Sequence, residues 1–162
     1  MKPIKYLFIA AILFPFLFLV GGANATQQPE GLNGKADFKL EQYRGKVVLL
    51  DFWASWCGPC REAFPWLNEM HRKYQGLGLE IIAVNLDEVR SKADQFLIDS
   101  PANFSIQYDP EGVLAKDYDL QGMPYSLLFD RNGKLLNKHV GFFKSKAPER
   151  ELEIRQALKN NI

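Results

Sequence analysis

The 162-residue chain predicts an α/β fold, a central mixed sheet with helices on both faces. Three features point to it. Two apolar runs, Val47 to Trp53 and Leu79 to Leu86, are short and continuous, as strands buried on both faces are. Between them Ala63, Phe64, Leu67, Met70 and Tyr74 recur at helical spacing. Farther on, Tyr125 to Asp130 and Lys134 to Phe142 are strand-like and meet at Asp130-Arg131-Asn132-Gly133, a hairpin signal with glycine at its end. Strands alternating with helices, then a hairpin and a last helix, imply a mainly parallel sheet covered by helices.

From the N-terminus, residues 1–25 read as a signal peptide. Lys2 and Lys5 precede an apolar core from Tyr6 to Val20, and Ala23-Asn24-Ala25 forms a cleavage pattern. An uncleaved anchor is the alternative, although the run is short for a membrane span and Pro15 interrupts it. Export to a bacterial periplasm is expected, a compartment that permits disulfides. Residues 26–35 are a polar, flexible lead-in and residues 36–162 one domain. The 20 Lys and Arg residues balance 19 Asp and Glu, and without Lys2 and Lys5 the cations fall to 18. No basic run remains to suggest nucleic acid or anionic lipid as a partner.

Within the domain, Ala36 to Leu40 alternates like a short strand, and Tyr43-Arg44-Gly45-Lys46 turns into the central one. The first helix runs from about Pro59 to Gln75 and stops at Gly76-Leu77-Gly78. A helix over Ser91 to Ile98, a strand over Phe104 to Tyr108 and a short helix over Val113 to Tyr118 follow. The final helix opens at Ala147-Pro148-Glu149 and reaches about Leu158, with Leu152, Ile154, Ala157 and Leu158 as its inner face.

The chemistry is concentrated at Cys57-Gly58-Pro59-Cys60, where the central strand gives way to a helix. A helix N-terminus carries partial positive charge and unpaired N–H groups, and both favour thiolate over thiol. Cys57, at the open end, is the expected nucleophile; Cys60, one turn in, is placed to resolve a mixed disulfide. Other readings are weaker. Zinc needs four ligands, and His71 and His139 are far apart in the chain. Haem attachment needs histidine after the second cysteine, where Arg61 stands. A purely structural bridge over so short a loop adds little stability.

Asp51-Phe52-Trp53-Ala54-Ser55-Trp56-Cys57-Gly58-Pro59-Cys60, with Pro65 five residues on, closely resembles the thioredoxin active-site signature. Gly122-Met123-Pro124 before the hairpin is the second anchor of that resemblance. It implies a thioredoxin fold in which Met123-Pro124 is a cis peptide facing the cysteines. Trp56, Gly58, Pro59, Met123 and Pro124 would then contact substrate. A proline at a strand entrance is also an ordinary feature. The long segment between Asp87 and Met123, the strand ahead of Gly45 and the export signal resemble the TlpA/ResA/DsbE branch, with an N-terminal strand extension and an αβ insertion before the cis-proline.

That branch implies a protein-disulfide reductase in which Glu88 joins Cys57 and Cys60, whereas Asp51, where many of its members carry asparagine, is a departure toward thioredoxin. Asp51 matches a buried proton-transferring aspartate, and Ala83 occupies the place of its usual lysine partner. Glu88 matches a glutamate that adjusts cysteine acidity. The plainer alternatives are a satisfied core carboxylate for Asp51 and a solvated loop end for Glu88. The implied partners are disulfide-containing exported proteins, apocytochrome c among them, and a membrane thiol carrier of the DsbD/CcdA type. A monomer with no metal and no cofactor beyond the dithiol is expected. The competing readings are a periplasmic oxidase or isomerase and a metal-delivery module on the same fold.

Overall fold

The computed structural model describes residues 38–159. The expected signal peptide and lead-in lie outside this range, as do Ala36 and Asp37 of the first expected strand. Phe38 and Lys39 are not in a strand, and Leu40–Tyr43 forms a 3-10 turn. The alternation of this segment instead serves a packing role. Phe38 is buried and stacks on Tyr43 at 5.7 Å between ring centroids.

Five strands form one sheet in the order β3-β2-β1-β4-β5. They are β1 (Val47–Trp53), β2 (Leu79–Asn85), β3 (Ser105–Tyr108), β4 (Tyr125–Phe129) and β5 (Leu135–Val140). β1 runs parallel to β2 and antiparallel to β4; β2 and β3 are parallel, β4 and β5 antiparallel. The sheet is therefore mixed, as the two apolar runs and the hairpin predict. Two of its four pairings are antiparallel, so it is not mainly parallel; β4 enters beside β1 in the opposite sense and carries the hairpin with it. The helices are α1 (Gly58–Tyr74), α2 (Arg90–Asp99), α3 (Val113–Asp117) and α4 (Ala147–Lys159). The segment α2–β3–α3 is the αβ insertion, and its strand takes the sheet edge beside β2.

All seven residues of β1 are buried because both its faces are covered. Val47, Leu49 and Trp53 point into one layer with Phe64, Leu67 and Met70 of α1, Phe96 of α2 and Ile154 of α4. Val48, Leu50 and Phe52 point into the other, with Leu114 and Ala115 of α3. Period-two alternation places Asp51 in the first layer, among the apolar side chains beneath α1. The inner face of α4 differs from the expected one. Leu152 is exposed, and the buried positions are Arg150, Ile154, Ala157 and Leu158. Spacings of four, seven and eight residues put Arg150 on that face, and Leu152 lies off it.

Candidate active site

β1 ends in a tight connection that delivers Cys57 as the N-cap of α1. Its backbone is extended (φ −81°, ψ 106°), its Sγ accepts a hydrogen bond from Cys60 N at 3.3 Å, and Pro59 sits in the first turn. Proline costs little there, since the first N–H groups of a helix have no intrahelical acceptor. Cys57 and Cys60 are joined as a disulfide, 5.3 Å apart at Cα. Cys57 is 5% exposed and Cys60 1%, so the N-terminal sulfur is the one nearer solvent. Trp56, at 67% exposure, stands out beside it with Gly58 and Pro59. A side chain added at Gly58 would meet nothing within 4 Å, so packing does not require glycine here.

The Met123–Pro124 peptide is cis. Met123 packs against the core layer that contains both cysteines, and Tyr125 pairs with Phe52 near the end of β1, which places the loop at the end of the sheet from which the dithiol leaves. Its mooring is Gly141, whose N–H donates to the Pro124 carbonyl at 2.7 Å. Tyr125, the next residue, points into the opposite layer against Phe52, away from the sulfurs.

Two buried carboxylates flank this core. Asp51 pairs across the sheet with Ala83 on one side and Ser126 on the other. Ser126 Oγ donates to Asp51 Oδ1 at 2.5 Å, while Oδ2 has no partner. Burial pushes its pKa up from 3.8 to about 7, against the lowering effects of the Ser126 hydrogen bond and of Arg150. Desolvation wins because a charge in an apolar layer loses its water and gains only one donor. Such a group changes protonation near neutral pH, as a general acid–base must.

Asp87 is the second carboxylate, and its role is not apparent from the sequence. Its Oδ2 accepts from Ser55 N at 2.9 Å and from Asn85 Nδ2 at 2.7 Å; its Oδ1 accepts from Ser55 Oγ at 2.8 Å. It therefore ties the end of β2 to the residue just before Trp56. The signal available in sequence was Asn85-Leu86-Asp87, two polar residues on the buried side of a strand end. The neighbouring Glu88 is exposed. Thus Cys57, Cys60, Trp56, Gly58, Pro59, Met123 and Pro124 come together, Asp51 lies in the layer beneath, and Glu88 faces solvent at the loop before α2.

Three further polar residues line one small cavity next to this layer: Ser126 on β4, the cross-strand neighbour of Asp51, His139 on β5 and Arg150 on α4. His139 Nε2 is 2.6 Å from Glu153 Oε2, and His71 is buried elsewhere beside Phe104. Among the described residues, no group of three His, Cys, Asp or Glu side chains could hold a metal ion.

Residues 23–155 match the Redoxin family. The chain is 36% identical over 110 residues to thiol-disulfide oxidoreductase ResA of Bacillus thuringiensis, covering 68% of this chain and 63% of that protein. It thus spans somewhat less than two thirds of the length of such curated relatives. A crystal structure assigned as the thiol:disulfide interchange protein DsbE of Chlorobium tepidum is 49% identical, with a TM-score of 0.73 over 75% of this chain and 86% of that one. A solution structure assigned as a protein disulfide isomerase of Bacteroides thetaiotaomicron is 26% identical, with a TM-score of 0.68 over 75% of this chain and 79% of that one. With the mixed five-stranded sheet and the dithiol at the head of α1, these likenesses make the chain a thioredoxin-fold member of the Redoxin family, in its TlpA/ResA/DsbE-like branch.

Proposed function

We propose that the protein is an exported thiol–disulfide oxidoreductase that reduces disulfides of periplasmic proteins. The observation that carries this reading is the Cys57–Cys60 disulfide at the N-terminus of α1, with the cis Met123–Pro124 loop at the same end of the sheet. Its family relatives are named for the same chemistry. Among the described residues no helix is long and apolar enough to cross a membrane. Export rests on the signal-peptide pattern of residues 1–25.

In the reduced protein, the α1 N-terminus favours thiolate at Cys57. The Cys57 thiolate attacks one sulfur of the substrate disulfide; that bond breaks, a mixed disulfide forms, and the first substrate sulfur leaves and takes a proton from solvent. Asp51, as carboxylate, accepts the proton of the Cys60 thiol. Cys60 then attacks Cys57 Sγ, the internal disulfide closes, and the second substrate thiolate leaves. Two electrons pass from the dithiol to the substrate. Trp56, Gly58 and Pro59 leave an open approach to Cys57, and the backbone of Met123 offers pairing groups to an extended substrate segment. A membrane thiol carrier of the DsbD/CcdA type would restore the dithiol. Apocytochrome c, whose paired cysteines must be reduced before haem attaches, is the substrate that the resemblance favours.

Turbidimetric insulin reduction with dithiothreitol tests the chemistry. The wild-type protein should accelerate precipitation, and Cys57→Ser should abolish the acceleration. A Cys60→Ser variant should trap substrates as mixed disulfides. A reduction potential in the strongly oxidising range would reverse the direction and favour the oxidase reading.

A further inference from the structure

α4 carries one cation into the buried layer. Arg150 is 6% exposed, on the face of α4 that buries Ile154, Ala157 and Leu158. Its Nη2 donates to the Gly141 carbonyl at 2.8 Å, its guanidinium lies 5.7 Å from the Phe142 ring centroid, and its Nε has no partner. A cavity of about 10 Å³ separates α4 from the sheet, walled by Ser126, His139, Arg150 and Glu153 among apolar side chains. Ser126, on the wall of that cavity, is the residue bonded to Asp51. An unpaired Asp51 oxygen and an incompletely paired guanidinium therefore share one apolar layer, where opposite charges are screened far less than in water.

The titratable and charged groups on the surrounding elements are Cys60 on α1, His139 on β5, and Glu149, Arg150 and Glu153 on α4. β2 presents Ala83, and β4 presents Ser126. Glu153 is engaged with His139, which leaves Arg150 as the cation available to Asp51. Gly141, whose carbonyl holds Arg150, also moors the cis-proline loop through its own N–H.

We propose that Arg150 is a positioning residue for the thiol–disulfide exchange. Held by the Gly141 carbonyl, its guanidinium biases Asp51 toward carboxylate, the form that takes the Cys60 proton. The inference rests on the acid–base reading of Asp51 given above. Arginine suits the place because it stays charged when buried. Its field opposes the desolvation that raises Asp51.

The test is a carbon-13 carboxyl NMR titration of Asp51 in the oxidised protein, paired with the pH profile of insulin reduction. Arg150→Met should raise the Asp51 midpoint by about one pH unit and move the profile with it, whereas Arg150→Lys should keep both within about half a unit. An unmoved midpoint in Arg150→Met overturns the proposal even if activity falls. If that variant does not fold, Arg150→Gln decides, since it keeps a donor for the Gly141 carbonyl but carries no charge; an unmoved midpoint there overturns the proposal. An Asp51→Asn variant with the wild-type rate and pH profile overturns the acid–base reading of Asp51 itself, and the positioning role with it.

Discussion

Asp51 and Asp87 are both buried carboxylates, one on the strand that leads to the dithiol and one tied to Ser55 two residues before Cys57, and they are built in opposite ways. Asp87 has both oxygens occupied, by two donors from Ser55 and one from Asn85. Asp51 has one donor, Ser126, and an oxygen with none. A fully bonded carboxylate holds a loop in place; a half-bonded one in an apolar layer is free to change its proton. On the proposed acid–base reading of Asp51 the two tasks are separate, with shape maintained from the end of β2 and proton exchange served from β1.

Removing each carboxylate tests this contrast. The largest effect belongs to Asp51. Its folded pKa of about 7 lies above its ordinary 3.8, so the folded state keeps a proton that the unfolded state has released. Stability is therefore unimpaired below about pH 4 and declines as pH rises through about 7, by a total on the order of 4 kcal/mol. Asp51→Asn should flatten this decline and be the more stable protein at pH 8 in urea melts, while losing reductase activity at neutral pH. An equally steep decline in the variant would show that Asp51 is not its source.

Asp87→Ala should act the other way. It strands the donors of Ser55 and Asn85 and should cost about 2–3 kcal/mol at every pH from 5 to 8. Insulin reduction should weaken because the residues before Trp56 lose their tether. A stability loss under about 0.5 kcal/mol would mean that solvent takes over these bonds without penalty. The smallest effect is expected at Glu88, which is exposed. Glu88→Gln should change stability by no more than about 0.5 kcal/mol. The pH dependence of Cys57 alkylation by iodoacetamide decides whether Glu88 has the acidity-adjusting role that the resemblance implies; an unchanged profile removes it.

Much of the fold was legible because its signals are local. The apolar continuity of Val47 to Trp53 requires cover on both faces, and the turn residues from Asp130 to Gly133 close a hairpin whatever lies around them. Cys57, Pro59 and Cys60 declare a helix start and a redox pair within four residues. The expected strand over Ala36 to Leu40 fails at Phe38 to Leu40, because two-residue alternation also suits non-strand backbone with one buried aromatic, and Phe38 supplies that aromatic. The inner face of α4 misled because Leu152 attracts attention by residue type, whereas geometry selects Arg150.

Taken alone, the order of residues determined the strands and helices from Val47 onward, the dithiol and its place at a helix head, since each depends on neighbours only a few positions away. It also singled out Asp51, because an acid inside an apolar strand stands out against its surroundings. Only the tertiary structure decided what that acid faces. Ser126, His139, Arg150 and Glu153 lie 75 or more positions further along the chain, and no local spacing brings them together. Pairing across β1, β4 and β5 and the docking of α4 gather them, and the loss of water that accompanies burial gives their charges influence on one another.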